Sequence, residues 1–123
     1  MSRKVELPDF EDMMNLATKI GDAKKRLLVL ETNLENLLAI ITKRVTEKKD
    51  YWINNKPPSN VHIKDTYHIL GCDEETRKAL QTLRNEIAQA KGDMESDKLL
   101  FDVYKEMINV WRTQSANERG SYL

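Results

Sequence analysis

Between residues 43 and 56 five basic side chains, Lys43, Arg44, Lys48, Lys49 and Lys56, stand against only two acids, Glu47 and Asp50. Tyr51 and Trp52 are set among them, and Tyr67 and His68 follow a little further on. Cations neutralise phosphates and aromatic faces stack on bases, which is the pairing that single-stranded nucleic acid requires. The same aromatics would serve equally as a small core seating a helix at a bend. Both readings are carried forward.

Other chemistry is poorly supplied. The chain has four scattered glycines, too few and too far apart for a phosphate-cradling loop. It contains no HExxH, no CxxC and no serine nucleophile elbow. His62 and His68 are six residues apart, the wrong spacing for two ligands on one helix face, so they read as surface or capping histidines and no metal site is expected. Cys72, beside Asp73 at a helix start, reads as a structural thiol. Neither a catalytic centre nor a cofactor is expected.

The totals narrow the setting. At 123 residues the chain is one domain, and twenty basic against twenty acidic side chains make it formally neutral. Neutrality excludes a surface that attracts nucleic acid or membrane everywhere; any such role must be local. One cysteine excludes an internal disulfide and suits a reducing compartment. No apolar run nears the roughly 20 residues that cross a bilayer, and Met1 to Glu6 lacks an apolar signal core. The expectation is a cytoplasmic protein without membrane contact, in the host cell's cytoplasm if its source is viral.

The elements that position the basic-aromatic stretch are long helices. Met13, Leu16, Ile20, Ala23, Leu27, Leu30, Leu34, Leu37 and Ile41 follow at alternating steps of three and four, the a/d seam of a heptad repeat. The rhythm returns in Leu80, Leu83, Ile87, Ala90, Met94, Asp97, Phe101, Tyr104, Ile108 and Trp111. The first helix is predicted over 9–50, opening at Pro8 or Asp9 and continuing through Gly21, which lies off the seam. At Arg44 and Lys48 charged residues take seam positions, as in a hydrated helix end or a cationic tip. The connector spans 51–72. Pro57 and Pro58 bar helix over 52–60, and a short helix over 60–70 is capped by Ser59 or Asn60 and stopped by Gly71. Asp73 caps a second long helix over 73–115, continuous through Gly92, with 1–8 and 116–123 as flexible ends.

The fold expected is all-α: an antiparallel two-helix coiled-coil hairpin with a short connector helix, assembling into a multi-helix bundle or ring. Met13 to Leu27 would then meet Phe101 to Trp111, and Leu34 to Ile41 would meet Leu80 to Ala90. Asp97, in the seam, needs a partner, and Lys24, Lys25 and Arg26 are within the expected reach. Two helices cannot hide all the apolar surface. Leu28, Leu38 and Val45 on the first, and Leu100, Val103, Met107 and Val110 on the second, lie outside the seam and are candidate contacts with further copies.

A charged long helix ending in basic residues and the Tyr51-Trp52 pair, an irregular connector, a second long helix and the terminal Arg119-Gly120 together resemble the recombination mediator proteins of T4-type phages. The resemblance is one of layout across most of the chain. It implies a helical hairpin that forms rings, binds single-stranded DNA and helps to load a recombinase. The Pro57-Pro58 connector and the neutral charge depart from the pattern expected of that family. The alternative is a structural or adaptor coiled-coil protein, such as a virion component, acting through protein contacts alone.

Overall fold

The computed structural model describes residues 7–120, and side-chain surroundings for 7–118. From Phe10 on, the described chain is helical apart from its connector. Helix α1 runs Phe10–Glu47, a single 3-10 turn covers Lys49–Tyr51, and α3 runs Glu74–Gly120. Between them lies a short helix over 60–70, here α2, whose middle (Ile63–Tyr67) widens into one π turn between Asn60–His62 and His68–Leu70. Among the described residues the only strand-like pairing is a single bridge, Ile53 to Lys56.

Each boundary has a local cause. Asp9 opens α1: its carboxylate accepts from the Glu11 N–H at 3.1 Å and its carbonyl from the Met13 N–H at 3.0 Å. Ser59 opens α2 by accepting from the His62 N–H at 3.2 Å. Gly71 stops it at φ 74°, where a β-carbon would lie 2.7 Å from both the Arg77 nitrogen and the Thr76 hydroxyl. Only glycine fits that stop. Asp73 and Thr76 then exchange hydrogen bonds, Thr76 N–H to the Asp73 carboxylate at 2.8 Å and Asp73 N–H to the Thr76 hydroxyl at 3.1 Å. This is a capping box with threonine in the third position.

Both long helices continue through their glycines, Gly21 and Gly92. Two boundaries differ from expectation. Helix α1 ends at Glu47, because Lys48 turns extended (ψ 119°) and the next three residues tighten into the 3-10 turn. Helix α3 passes Ser115 and reaches Gly120, since nothing between them breaks a helix. Of the ends predicted to be flexible, residues 1–6 and 121–123 lie outside the described residues.

The chain divides into two compact units, and both long helices contribute to each. The unit Arg26–Ala90 carries most of the core. Ile41, Val45, Ile63 and Leu80 are all but inaccessible and pack together, with Leu34, Leu37, Leu38, Tyr51, Tyr67 and Cys72 around them. A second cluster joins Leu30 to Ile87 and Ala90, with Leu27, Leu34 and Leu83 against it. Seam residues from the later part of α1 thus meet those from the earlier part of α3. Helix α2 is fixed on both sides. Thr42 and His68 are 2.6 Å apart, and the Arg84 guanidinium donates to the terminal carbonyls of His68 and Ile69.

The other unit holds the described residues up to Lys25 and those from Lys91 on. Leu16 is its buried anchor. The ion-pair partner of Asp97 is Lys19, at 4.0 Å, in place of the expected Lys24, Lys25 or Arg26. The Lys19 side chain is mostly exposed, so the pair adds little stability. An open groove of about 300 Å³ lies beside it, lined by Ala17, Ile20, Lys24, Lys98, Phe101 and Asp102.

Candidate nucleic-acid interface

The basic-aromatic stretch folds into a small, heavily tied loop within the Arg26–Ala90 unit. The Trp52 indole N–H donates to the Thr46 carbonyl at 3.0 Å, capping one of the free carbonyls at the end of α1. Beyond it the chain reverses in two residues. Asn54 and Asn55 both take left-handed φ, 53° and 62°, while Ile53 and Lys56 exchange backbone hydrogen bonds of 2.9 and 3.1 Å. That is a type I′ turn, a conformation asparagine tolerates better than most residues. It presents Lys56 at the surface and leads into Pro57-Pro58.

The seven predicted contact residues separate into two groups. Tyr51 belongs to the interior: its ring meets Tyr67 edge-on at 5.5 Å and its hydroxyl donates to the Cys72 carbonyl at 3.0 Å. Burial raises the Tyr51 phenol above its ordinary pKa. Arg44 reaches across to the start of α3, 3.0 Å from the Asp73 carboxylate and 3.6 Å from the Cys72 sulfur. Tyr51 and Arg44 therefore hold the connector to the long helices, and neither is free for a ligand as it stands.

Lys43, Lys48, Lys49 and Lys56 are exposed, and none has an ion-pair partner among the described residues. Lys43 and Lys48 help to line a shallow depression of about 230 Å³ with Ile40, Arg44 and Glu47. Lys49 sits 6.0 Å above the Trp52 ring, at the outer limit of a cation–π contact, and Trp52 is half-buried. What remains accessible is four lysines in the stretch 43–56, of which Lys49 lies over the partly open Trp52 indole, against Glu47 and Asp50. Such a surface has the chemistry to hold phosphates and to stack a base.

No known protein family, curated protein or solved structure matches this chain.

The predicted contacts between copies also separate. Val45 is 0% exposed and Leu38 is partly buried against the same cluster, so both serve the chain's own core. The reason is α2, which lays Ile63 beside Val45 and covers a flank of α1 that a bare pair of helices would leave open. Leu28, at 66%, remains exposed, as do Leu100, Val103 and Val110, while Met107 is half-buried. Sequence reasoning missed the fixed Trp52 indole. The Asn54-Asn55 pair reads as turn chemistry in the sequence, and the structure makes that turn type I′.

Asp73 links this loop to pH. Its carboxyl lies below the usual carboxylate range, chiefly because it accepts from the Thr76 N–H, then from the Thr76 hydroxyl and Arg44. A group with a depressed folded-state pKa stabilises the fold above its unfolded value, near 3.8. That contribution is lost as pH falls below 3.8 and through the folded value. Acid unfolding curves should therefore lose part of their steepness in this range in Asp73→Asn, and NMR titration of the Asp73 carboxyl should give a midpoint below 3.8. A midpoint at or above that value would mean the capping box does not form in solution.

Among the described residues no helix is long and apolar enough to cross a membrane, and no group of three or more His, Cys, Asp or Glu side chains is placed to hold a metal ion.

Proposed function

We propose that this chain is a non-enzymatic, oligomeric helical protein that binds single-stranded DNA at its lysine-rich connector end. In this reading the two long helices form an antiparallel coiled-coil hairpin bent at α2, and several hairpins join in a bundle or ring in the cytoplasm. The observation that carries it is the set of four exposed lysines without an ion-pair partner among the described residues, with Lys49 over the partly open Trp52. The resemblance of the layout to the recombination mediators of T4-type phages supplies the proposed partner: a recombinase loaded onto the bound strand. One connector end is a weak site. An oligomer gathers several, and effective concentration multiplies their avidity.

Titration of the intact protein with labelled single- and double-stranded oligonucleotides at two salt concentrations tests the proposal. Single strands should bind more tightly, because only unstacked bases can reach an indole. Affinity should fall with salt, with a slope of roughly 0.7 for each phosphate neutralised. Absence of binding at low salt would overturn it.

That outcome would favour a second reading, a structural or adaptor protein acting only through its helices, with a virion component as one form. The engagement of Tyr51 and Arg44 inside the connector and the exposed apolar line on α3 are the observations on its side.

A further inference from the structure

Two glycines stand inside long helices where glycine weakens a helix relative to alanine. Nothing in the chain itself lies within 4 Å of the β-carbon that either Gly21 or Gly92 would carry. The chain's own packing therefore gives no reason for glycine at either place. Close approach of another helix would.

Neither glycine is on the seam. On α1, Phe10, Met14, Ala17 and Gly21 follow at steps of four, three and four, about a third of a turn from the seam at 3.6 residues per turn. Phe10 is 76% exposed on this line and Met14 52%. On α3, Gly92 shares a broad outer side with Leu99, Val103, Met107 and Val110; Gly92 and Leu99 lie about half a turn from its seam and Val103 and Val110 about a third. Leu99 is 67% exposed there and Val103 54%. Each helix thus carries a second apolar face that its own chain leaves open.

The charges decide what covers them. The α1 face ends in Lys24 and Lys25, while the α3 face is edged by Glu95 and Glu106; all four are exposed and without an ion partner among the described residues. Pairing α3 with α3 would set glutamate against glutamate, and pairing α1 with α1 would set lysine against lysine. Parallel α1 against α3 brings opposite charges together along the whole contact. Bulk agrees with charge. Eleven residues separate Phe10 from Gly21 and Gly92 from Val103. In one parallel alignment Phe10 falls on Gly92, Val103 on Gly21, and Glu106 on Lys24.

We infer that the outer face of α1, from Phe10 to Lys25, receives the outer face of α3, from Gly92 to Val110, of a second copy of this chain, deepening the oligomer in the proposed function and resting on that reading. The contact is head-to-tail. Each copy keeps one free face of each kind, so assembly continues until a ring closes or a filament grows.

Light scattering of the full chain tests this. Gly21→Trp blocks the α1 face, and Val103→Glu with Met107→Glu blocks the α3 face; each variant alone should be monomeric with its helicity retained. Mixed together they should form a one-to-one dimer and stop, because each supplies the face that the other lacks. As a check on folding, Lys24→Glu should weaken assembly and adding Glu106→Lys should restore it. Unchanged assembly in Gly21→Trp, or no dimer in the mixture, overturns the inference while an oligomeric wild type leaves the proposed oligomer intact. A monomeric wild type overturns both.

Discussion

Truncating Ile41 to Ala is expected to lower the stability of the fold by about 2–5 kcal/mol. Ile41 is 0% exposed and touches core residues from all three helices: Val45 on its own, Ile63 on α2 and Leu80 on α3. The cost of a cavity depends on how far its walls can move inward. Here the walls are held from several directions. The Asp73–Thr76 box fixes the start of α3, Arg84 holds the end of α2, and Tyr51 ties the loop to Cys72. The cavity should stay open, placing the loss in the upper part of the range. Leu16→Ala, in the unit with a single buried anchor among its described residues and an open groove, should cost less because its surroundings can relax. Urea unfolding followed by circular dichroism measures both, at one protein concentration, since association would shift the midpoint. A loss below about 1 kcal/mol for Ile41→Ala would mean that the three-helix cluster does not form in solution.

That cluster also marks where the sequence stops being legible. Ile41 and Leu80 could be read as core from the heptad rhythm alone, because a period near 3.5 admits one face per helix and both residues lie on it. The short helix could be read too, since Ser59 and Gly71 bracket it with opposite kinds of terminus. Val45 could not. It lies off the seam, and only the placement of Ile63 by α2 buries it; a contact between elements distant in sequence leaves no periodic trace. The role of Arg44 was hidden for the same reason. At a seam position near a helix end it has the pattern of a fraying cation, yet its guanidinium joins Asp73, far along the chain. Among the seven predicted contact residues, the lysines could be placed on the surface from their type alone. Tyr51 and Trp52 could not be assigned to core or surface, because an aromatic beside a bend suits both until its hydrogen-bond partner is known.

Reversing two of those lysines, Lys48→Glu with Lys49→Glu, is expected to abolish binding of single-stranded DNA at low salt, a loss of roughly 100-fold or more. Both are exposed where α1 gives way to the 3-10 turn, and the Lys48 side chain makes no capping hydrogen bond. Each reversal removes a phosphate partner and puts a repelling charge in its place. In an oligomer the change repeats at every connector end, so what avidity multiplied is lost by the same factor. The residual salt dependence should be shallower by roughly 0.7 per phosphate contact removed. Helicity and molecular mass should not move, because neither lysine packs on the core and neither lies on the faces assigned to the contact between copies. That separation makes the result readable. Loss of DNA with an intact oligomer would place the site at the connector end. Loss of both would mean that the double variant had damaged the fold. Unchanged affinity would remove the lysine cluster as the site and leave the adaptor reading in possession of the exposed apolar faces.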